Sequence, residues 1–91
     1  MSGSKSYVKI RMGKDLYYLE SLYPVKWSAF ISSALSFNDE CDARIKLNQR
    51  YGQISEALNH NCTYINSIMI DTFNNGTLIS SKSYIEGGDI S

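Results

Sequence analysis

His60 and Cys62 stand two positions apart in a polar stretch, and Cys41 lies earlier in the chain. Imidazole and thiolate are ligands that zinc favours, so the three could hold an ion. Zinc sites usually carry paired ligands at two- to four-residue spacing on both arms, and only one arm is present here. The same His and Cys could form a nucleophilic pair. That chemistry also needs a third group to orient the imidazole and donors for an oxyanion, and no sequence signature supplies either. Solvated loop residues explain His60 and Cys62, and a small buried hydrophobe explains Cys41. Asp39, Glu40 and Asp42 could gather around Mg²⁺. Their place in what reads as a first helical turn explains them instead through the helix dipole. The glycines form no phosphate-binding pattern. The expectation is no catalytic residue, no metal and no cofactor, with a small metal-dependent hydrolase as the third-ranked reading. No stretch identifies a biochemical activity.

The sharper signal is aromatic and basic. The chain has seven Tyr and one Trp in 91 residues. Tyr7, Tyr18 and Tyr23 cluster around one expected hairpin. Tyr7, Lys9, Arg11, Tyr18 and Glu20 fall on its outer face and are the expected partner-binding residues. Tyr, Trp and Arg carry much of the binding energy at protein interfaces. The plainer role for Tyr is filler at the margin of a core, with its hydroxyl in water; that role suits Tyr17 and Tyr51. Outer-face aromatics beside Lys and Arg could instead stack the bases of a single strand. Arg44, Lys46 and Arg50 form a second basic strip, which reads as a solvated helix face.

The elements that must position these residues follow from periodicity. Residues 7–12 alternate, with Val8, Ile10 and Met12 on one side and Tyr7, Lys9 and Arg11 on the other. Gly13-Lys14 suits a two-residue turn with positive φ at Gly. That turn sets Ile10 against Tyr17 and Val8 against Leu19 on the core side. It sets Lys9 against Tyr18 and Tyr7 against Glu20 on the solvent side. Tyr23-Pro24 ends the second strand, because Pro has no N–H for the ladder. Residues 25–36 fit a short extended piece with one helical turn near residues 33–35, or a third strand.

The main helix is expected over about residues 38–51, with Asn38 as N-cap and Phe37 pinning the incoming chain. Ala43, Leu47, Tyr51, Ile54 and Leu58 recur at helical spacing, and Ile45 and Cys41 widen the stripe. Gly52 then closes the helix in the left-handed region, with residues 53–57 extended. Alternatively the helix runs through Gly52, at about 1 kcal/mol relative to Ala, and stops near Asn59. Residues 59–63 are loop-like. Residues 63–73 fit helical spacing or a strand. The β-branched content and Asn75-Gly76 favour a C-terminal hairpin, in which Ile68 and Ile70 share a face with Ile79 and Ile85. The fold class is thus α+β: an N-terminal β-hairpin, one main helix on a mostly antiparallel sheet, and a C-terminal hairpin.

Composition bounds the rest. Ninety-one residues make one domain, with residues 1–6 as a mobile arm and 86–91 as a frayed tail. A chain this size buries roughly 60–65% of its unfolded surface. Nine basic and nine acidic residues cancel, which disfavours a dedicated nucleic-acid binder. The start MSGSKS has no apolar core, so no signal peptide is expected, and no apolar run comes near the ~18 residues of a spanning helix. Two cysteines are too few for a disulfide scaffold, so a cytoplasmic, reducing compartment is expected. The sequons at Asn61 and Asn75 are then chance matches.

The order YVKIR, a Gly turn, LYYLESLY and SSALSFNDECDARIKLNQRYGQISEAL resembles a group of short phage and prophage proteins. Their shared pattern is a hairpin, a connector ending in an Ala-x-x-Phe-like step, a capped helix with an early Ala, and a Gly-closed turn. Ala34, Phe37, Ala43, Tyr51 and Gly52 occupy the matching positions. The resemblance covers residues 7–58. It implies a phage or mobile-element setting, in which small folded proteins bind and inhibit a host protein, anti-CRISPRs among them. It carries over no catalytic residue. The expected function is a non-catalytic protein-binding domain, a phage-encoded inhibitor or modulator of a host defence protein in the host cytosol. The alternative is a nucleic-acid-binding module. Exposed sheet edges would also permit a homodimer.

Overall fold

Alternation in the N-terminal segment builds the central strand of a sheet. In the computed structural model, which describes residues 3–84, β1 (Ser4–Met12) buries Ser6, Val8 and Ile10 on one side. Tyr7, Lys9 and Arg11 project to the other. The strand begins at Ser4, so residues 4–6 belong to the sheet and not to an arm; residues 1 and 2 lie outside the described residues. Gly13, at φ +69°, turns the chain into β2 (Asp15–Leu22). The register is the expected one, Ile10 facing Tyr17 and Lys9 facing Tyr18.

That ladder stops at Lys9. Beyond it the chain inserts residues 35–37 beside β1. Ser6 and Phe37 exchange both backbone bonds, at 2.8 and 2.9 Å, and the Leu35 N–H donates to the Leu19 carbonyl at 2.8 Å. Val8 and Leu19 are both in the core, but the expected pairing of Tyr7 with Glu20 lies outside the ladder. Glu20 occupies a bulge between Leu19 and Ser21, which face Trp27 and Lys26 of β3 (Val25–Ser28). A cis Tyr23-Pro24 bond lies in the β2–β3 turn. The helical turn expected near residues 33–35 is a 3₁₀ turn at Ile31–Ser33, and it follows a third strand.

The C-terminal hairpin pairs β4 (Met69–Asn74) with β5 (Thr77–Ser83). Asn75 and Gly76 both take positive φ, 53° and 83°, as a type I′ turn requires. β4 docks along β1, and the antiparallel strand order is β3-β2-β1-β4-β5. Ile68 and Ile70 are fully buried, but Ile79 is 58% exposed. The register skips a residue there, since Thr72 faces Ser80 while Phe73 faces Leu78. The bulged Ile79 leaves the core alternation. Ile85 and the tail 86–91 lie outside the described residues.

Three helices cover the core face: α1 (Glu40–Gln49), α2 (Tyr51–Ala57) and α3 (Cys62–Ile65). The expected N-cap, Asn38, is displaced by Asp39, whose carboxylate accepts from the Asp42 N–H at 2.8 Å. The Asp42 carboxylate reaches back to the Asn38 N–H at 3.3 Å. This reciprocal cap works one residue later than the sequence suggested. The Lys46 ammonium first, and the Asn38 N–H of the cap second, hold the Asp42 carboxyl below the usual range.

Gly52 does not close the helix. The axis breaks at Arg50 (φ −119°, ψ 20°) and helix resumes at once, so residues 53–57 are helical and not extended. The closing residue is Asn59, at φ 56°. The His60 N–H returns to the Ser55 carbonyl and the Asn59 N–H to the Glu56 carbonyl, at 2.8 and 3.0 Å. Those are the two bonds of a Schellman closure. Residues 63–73 divide, with α3 capped by the Asn61 side chain and then β4.

The buried stripe is narrower than expected. Ala43, Leu47, Ile54 and Leu58 join Val8, Ile10, Leu19 and Ile70 in one core. Cys41, Ile45 and Tyr51 are exposed, because a helix resting on a sheet buries a single stripe and the break at Arg50 turns its neighbours outward. No helix among the described residues is long and apolar enough to cross a membrane.

Two measurements follow. A Cβ on Gly52 would meet nothing within 4 Å, and its φ is not positive. Gly52→Ala is therefore expected to raise stability by about 1 kcal/mol in urea titration; a loss would contradict a helical Gly52. Tyr84 is buried and donates to Asn48 Oδ1. Burial first, and Tyr51 second, push its phenol up against the opposing pull of Arg44. The folded state then holds this proton more tightly than the unfolded chain. The contribution is full below the unfolded value of about 10 and is lost as pH rises from there through the higher folded value. Tyr84→Phe should cost about 1 kcal/mol near neutrality, with the gap to wild type closing in alkali.

Candidate functional site: the helix-free face of the sheet

All three helices pack on the face that carries Val8, Ile10 and Ile70. Strand register places Lys5, Tyr7, Lys9 and Arg11 of β1 on the other face. Cross-strand partners share a side, so Leu16 and Tyr18 of β2 and Met69, Asp71 and Phe73 of β4 join them. Four of the five expected contact residues therefore lie on one helix-free surface. Glu20 is exposed in its bulge, off the ladder.

At one end of this face the Tyr7 and Phe73 rings meet edge to face, with centroids 5.8 Å apart and planes at 72°. With Lys5, and Ile31 and Ser32 from the 3₁₀ turn, they line an open hollow of about 320 Å³. Ile31 is 45% exposed, and Leu78, opposite Phe73, is 50% exposed. At the other end Lys9, Arg11, Leu16, Ser67 and Met69 line a second hollow of about 310 Å³. Between the two ends Lys9 Nζ lies 2.9 Å from the Asp71 carboxylate, whose side chain is 8% exposed. Ser81 Oγ donates to the same carboxylate at 2.6 Å. A carboxylate this deep needs both partners, since a buried charge without them costs several kcal/mol.

The sequence pointed to Tyr7, Lys9, Arg11 and Tyr18 but missed Lys5, Ile31, Asp71 and Phe73. Asp71 and Phe73 were hidden because the strand at residues 69–74 competed with a helical reading. Its alternation, once assigned, places both outward. Ile31 carried no local signal, since the chain fold alone brings it over the sheet.

The other candidates disperse. Cys41 and Cys62 are exposed free thiols. His60 Nδ1 pairs with Ser55 Oγ at 2.9 Å, within the cap that ends α2. Among the described residues no three His, Cys, Asp or Glu side chains are grouped to hold a metal ion. The basic strip on the helices dissolves too. Arg44 is not outward-facing: it binds Glu40 at 2.7 Å and donates to the carbonyls of Tyr84 and Ser83 at 2.9 and 3.2 Å. Lys46 pairs with Asp42, and Arg50 lies 4.8 Å over the Tyr23 ring. Tyr23, 77% exposed, thus belongs with the helix break and not with Tyr7 and Tyr18. The edges are blunted as well. β3 has four residues, and β5 has its bulge and Lys82, opposite Ile70 on the core side. Short edges, bulges and inward-pointing charge all oppose edge-to-edge pairing.

Removing one member of the Lys9–Asp71 pair should hurt more than removing both. Lys9→Met is expected to cost about 3 kcal/mol, with the Lys9→Met, Asp71→Leu double variant recovering much of it. Additive losses in denaturant titrations would show that the pair is uncoupled.

No family model, curated protein or solved structure matches this chain.

Proposed function

We propose that this chain is a small non-catalytic protein-binding module whose contact surface is the helix-free face of its sheet. The observation that supports this reading is the juxtaposition on that face. Two half-buried tyrosines, Tyr7 and Tyr18, share it with Phe73, an apolar hollow and the exposed Arg11. An apolar aromatic patch set beside Arg and Lys has the make-up of a protein interface. Tyr7, Lys9, Arg11, Tyr18 and Glu20 remain the proposed contact residues, with Phe73 and Ile31 added. The blunted edges favour this face over an edge-paired homodimer.

The proposal extends to setting. The resemblance over residues 7–58 supports a phage or prophage protein that inhibits or modulates a host protein in the host cytosol, with defence proteins as the first class of target. The nucleic-acid reading draws less support. The Tyr7 and Phe73 rings stand at 72° to each other, so they do not offer parallel faces to stacked bases. The central cation, Lys9, is already neutralised by Asp71.

The test is affinity capture from host lysate with wild type, Tyr18→Ala and, as a control on the helix side, Lys46→Ala. Wild type and Lys46→Ala should hold the same partner, while a folded Tyr18→Ala loses it. Equal capture by all three would refute the surface. Retention on single-stranded DNA that collapses with added salt would replace this reading with the nucleic-acid one.

A further inference from the structure

We propose that the two hollows flanking the Lys9–Asp71 pair form one groove for an extended acidic peptide segment of the partner. An apolar side chain would sit against Tyr7, Phe73 and Ile31, and a carboxylate four residues away would meet Arg11. This deepens the protein-binding reading and rests on it.

Spacing comes first. Tyr7 and Arg11 lie four residues apart on β1, and at roughly 3.3 Å per residue that is about 13 Å. Residues i and i+4 of an extended peptide span the same distance and project to the same side. A strand-like segment lying along β1 therefore reaches both hollows without bending.

Chemistry comes second. Tyr7 and Phe73 are already packed against each other, so an entering apolar side chain orders little that is loose. Ile31, nearly half exposed, is the flank it would cover. In the other hollow the Arg11 guanidinium is exposed and has no ion-pair or hydrogen-bond partner among the described residues. Its planar fork suits a carboxylate. Lys9 is held by Asp71 and does not compete for it. Lys5, also without a partner among the described residues, borders the apolar hollow. An acidic residue beside the apolar one is favoured there.

The middle of the groove disfavours a polyanion. There Lys9 is neutralised by Asp71, so the units of a uniformly charged backbone that cross the pair gain no free cation. A peptide with an uncharged middle gives up nothing there.

The experiment is selection of heptapeptides from a random displayed library on the purified chain. The expected consensus is an aromatic or large aliphatic residue with Asp or Glu four positions away. For the best synthetic peptide, Arg11→Glu should weaken binding roughly tenfold in fluorescence anisotropy. The same variant should prefer a peptide with Lys in place of the acid. Ile31→Ser, at an exposed position, should weaken binding about threefold, and Lys46→Ala should change nothing. No enrichment, a consensus without an acid, or an Arg11→Glu variant that binds as wild type would each overturn the groove. So would tighter, salt-sensitive binding of a single-stranded DNA 20-mer. Should Tyr18→Ala still abolish partner capture in those cases, the contact face stands and only the acidic-peptide groove falls. Peptides that behave as expected while Tyr18→Ala captures normally would uphold the groove and refute the wider surface.

Discussion

The register between β1 and β4 is the constraint on which the rest of the structure depends. These strands are far apart in sequence, yet their pairing joins the two hairpins into one sheet. Side chains alternate, so a slip of one residue would carry every side chain of β4 to the opposite face. Ile70 would turn to water, and Asp71 and Phe73 would turn under the helices. Two polar pairs oppose such a slip from opposite sides. On the core side the buried hydroxyls of Ser6 and Thr72 bond at 2.8 Å. On the outer side Lys9 meets Asp71 at 2.9 Å. Each pair satisfies groups whose burial would otherwise be costly, so the register that seals the core also assembles the outer face.

The helix layer uses most of its charge internally. Asp39 caps α1, Glu40 receives Arg44 with Lys82 at 4.0 Å, and Asp42 receives Lys46. Arg44 does more than pair, because its hydrogen bonds to the carbonyls of Ser83 and Tyr84 fasten α1 to the end of β5. On the other face Lys5 and Arg11 are left without such partners among the described residues. The chain's zero net charge therefore conceals an asymmetry. On the helix side Glu56 alone among the charged side chains of α1 and α2 lacks such a partner among the described residues, while the other face presents cations beside exposed apolar side chains.

Local chemistry made much of the architecture legible. Both hairpins could be read because turn residues and alternation agree. Gly13 and Asn75-Gly76 take the positive φ values their turns require, and the N-terminal register follows from the turn. The capped start of the main helix was legible to within one residue. Four of the five expected contact residues were legible for the same reason, since a strand's two faces follow from counting by twos. The helix end was less so. Gly52 carries the usual stop signal, but burial of Ile54 and Leu58 in the core outweighs a helix penalty of about 1 kcal/mol.

What the sequence by itself determined, then, was each stretch whose conformation rests on near neighbours: turns, caps and alternation. Tertiary structure alone decided the rest. It set β4 beside β1, placed the bulge that expels Ile79, withdrew Arg44 from solvent to bind the end of β5, and folded Ile31 over the outer face. The physical reason is range. A turn is stabilised by its own dihedral angles, whereas a bulge, a clamp or a hollow exists only once distant segments have met, and its free energy depends on contacts that no local window of residues contains.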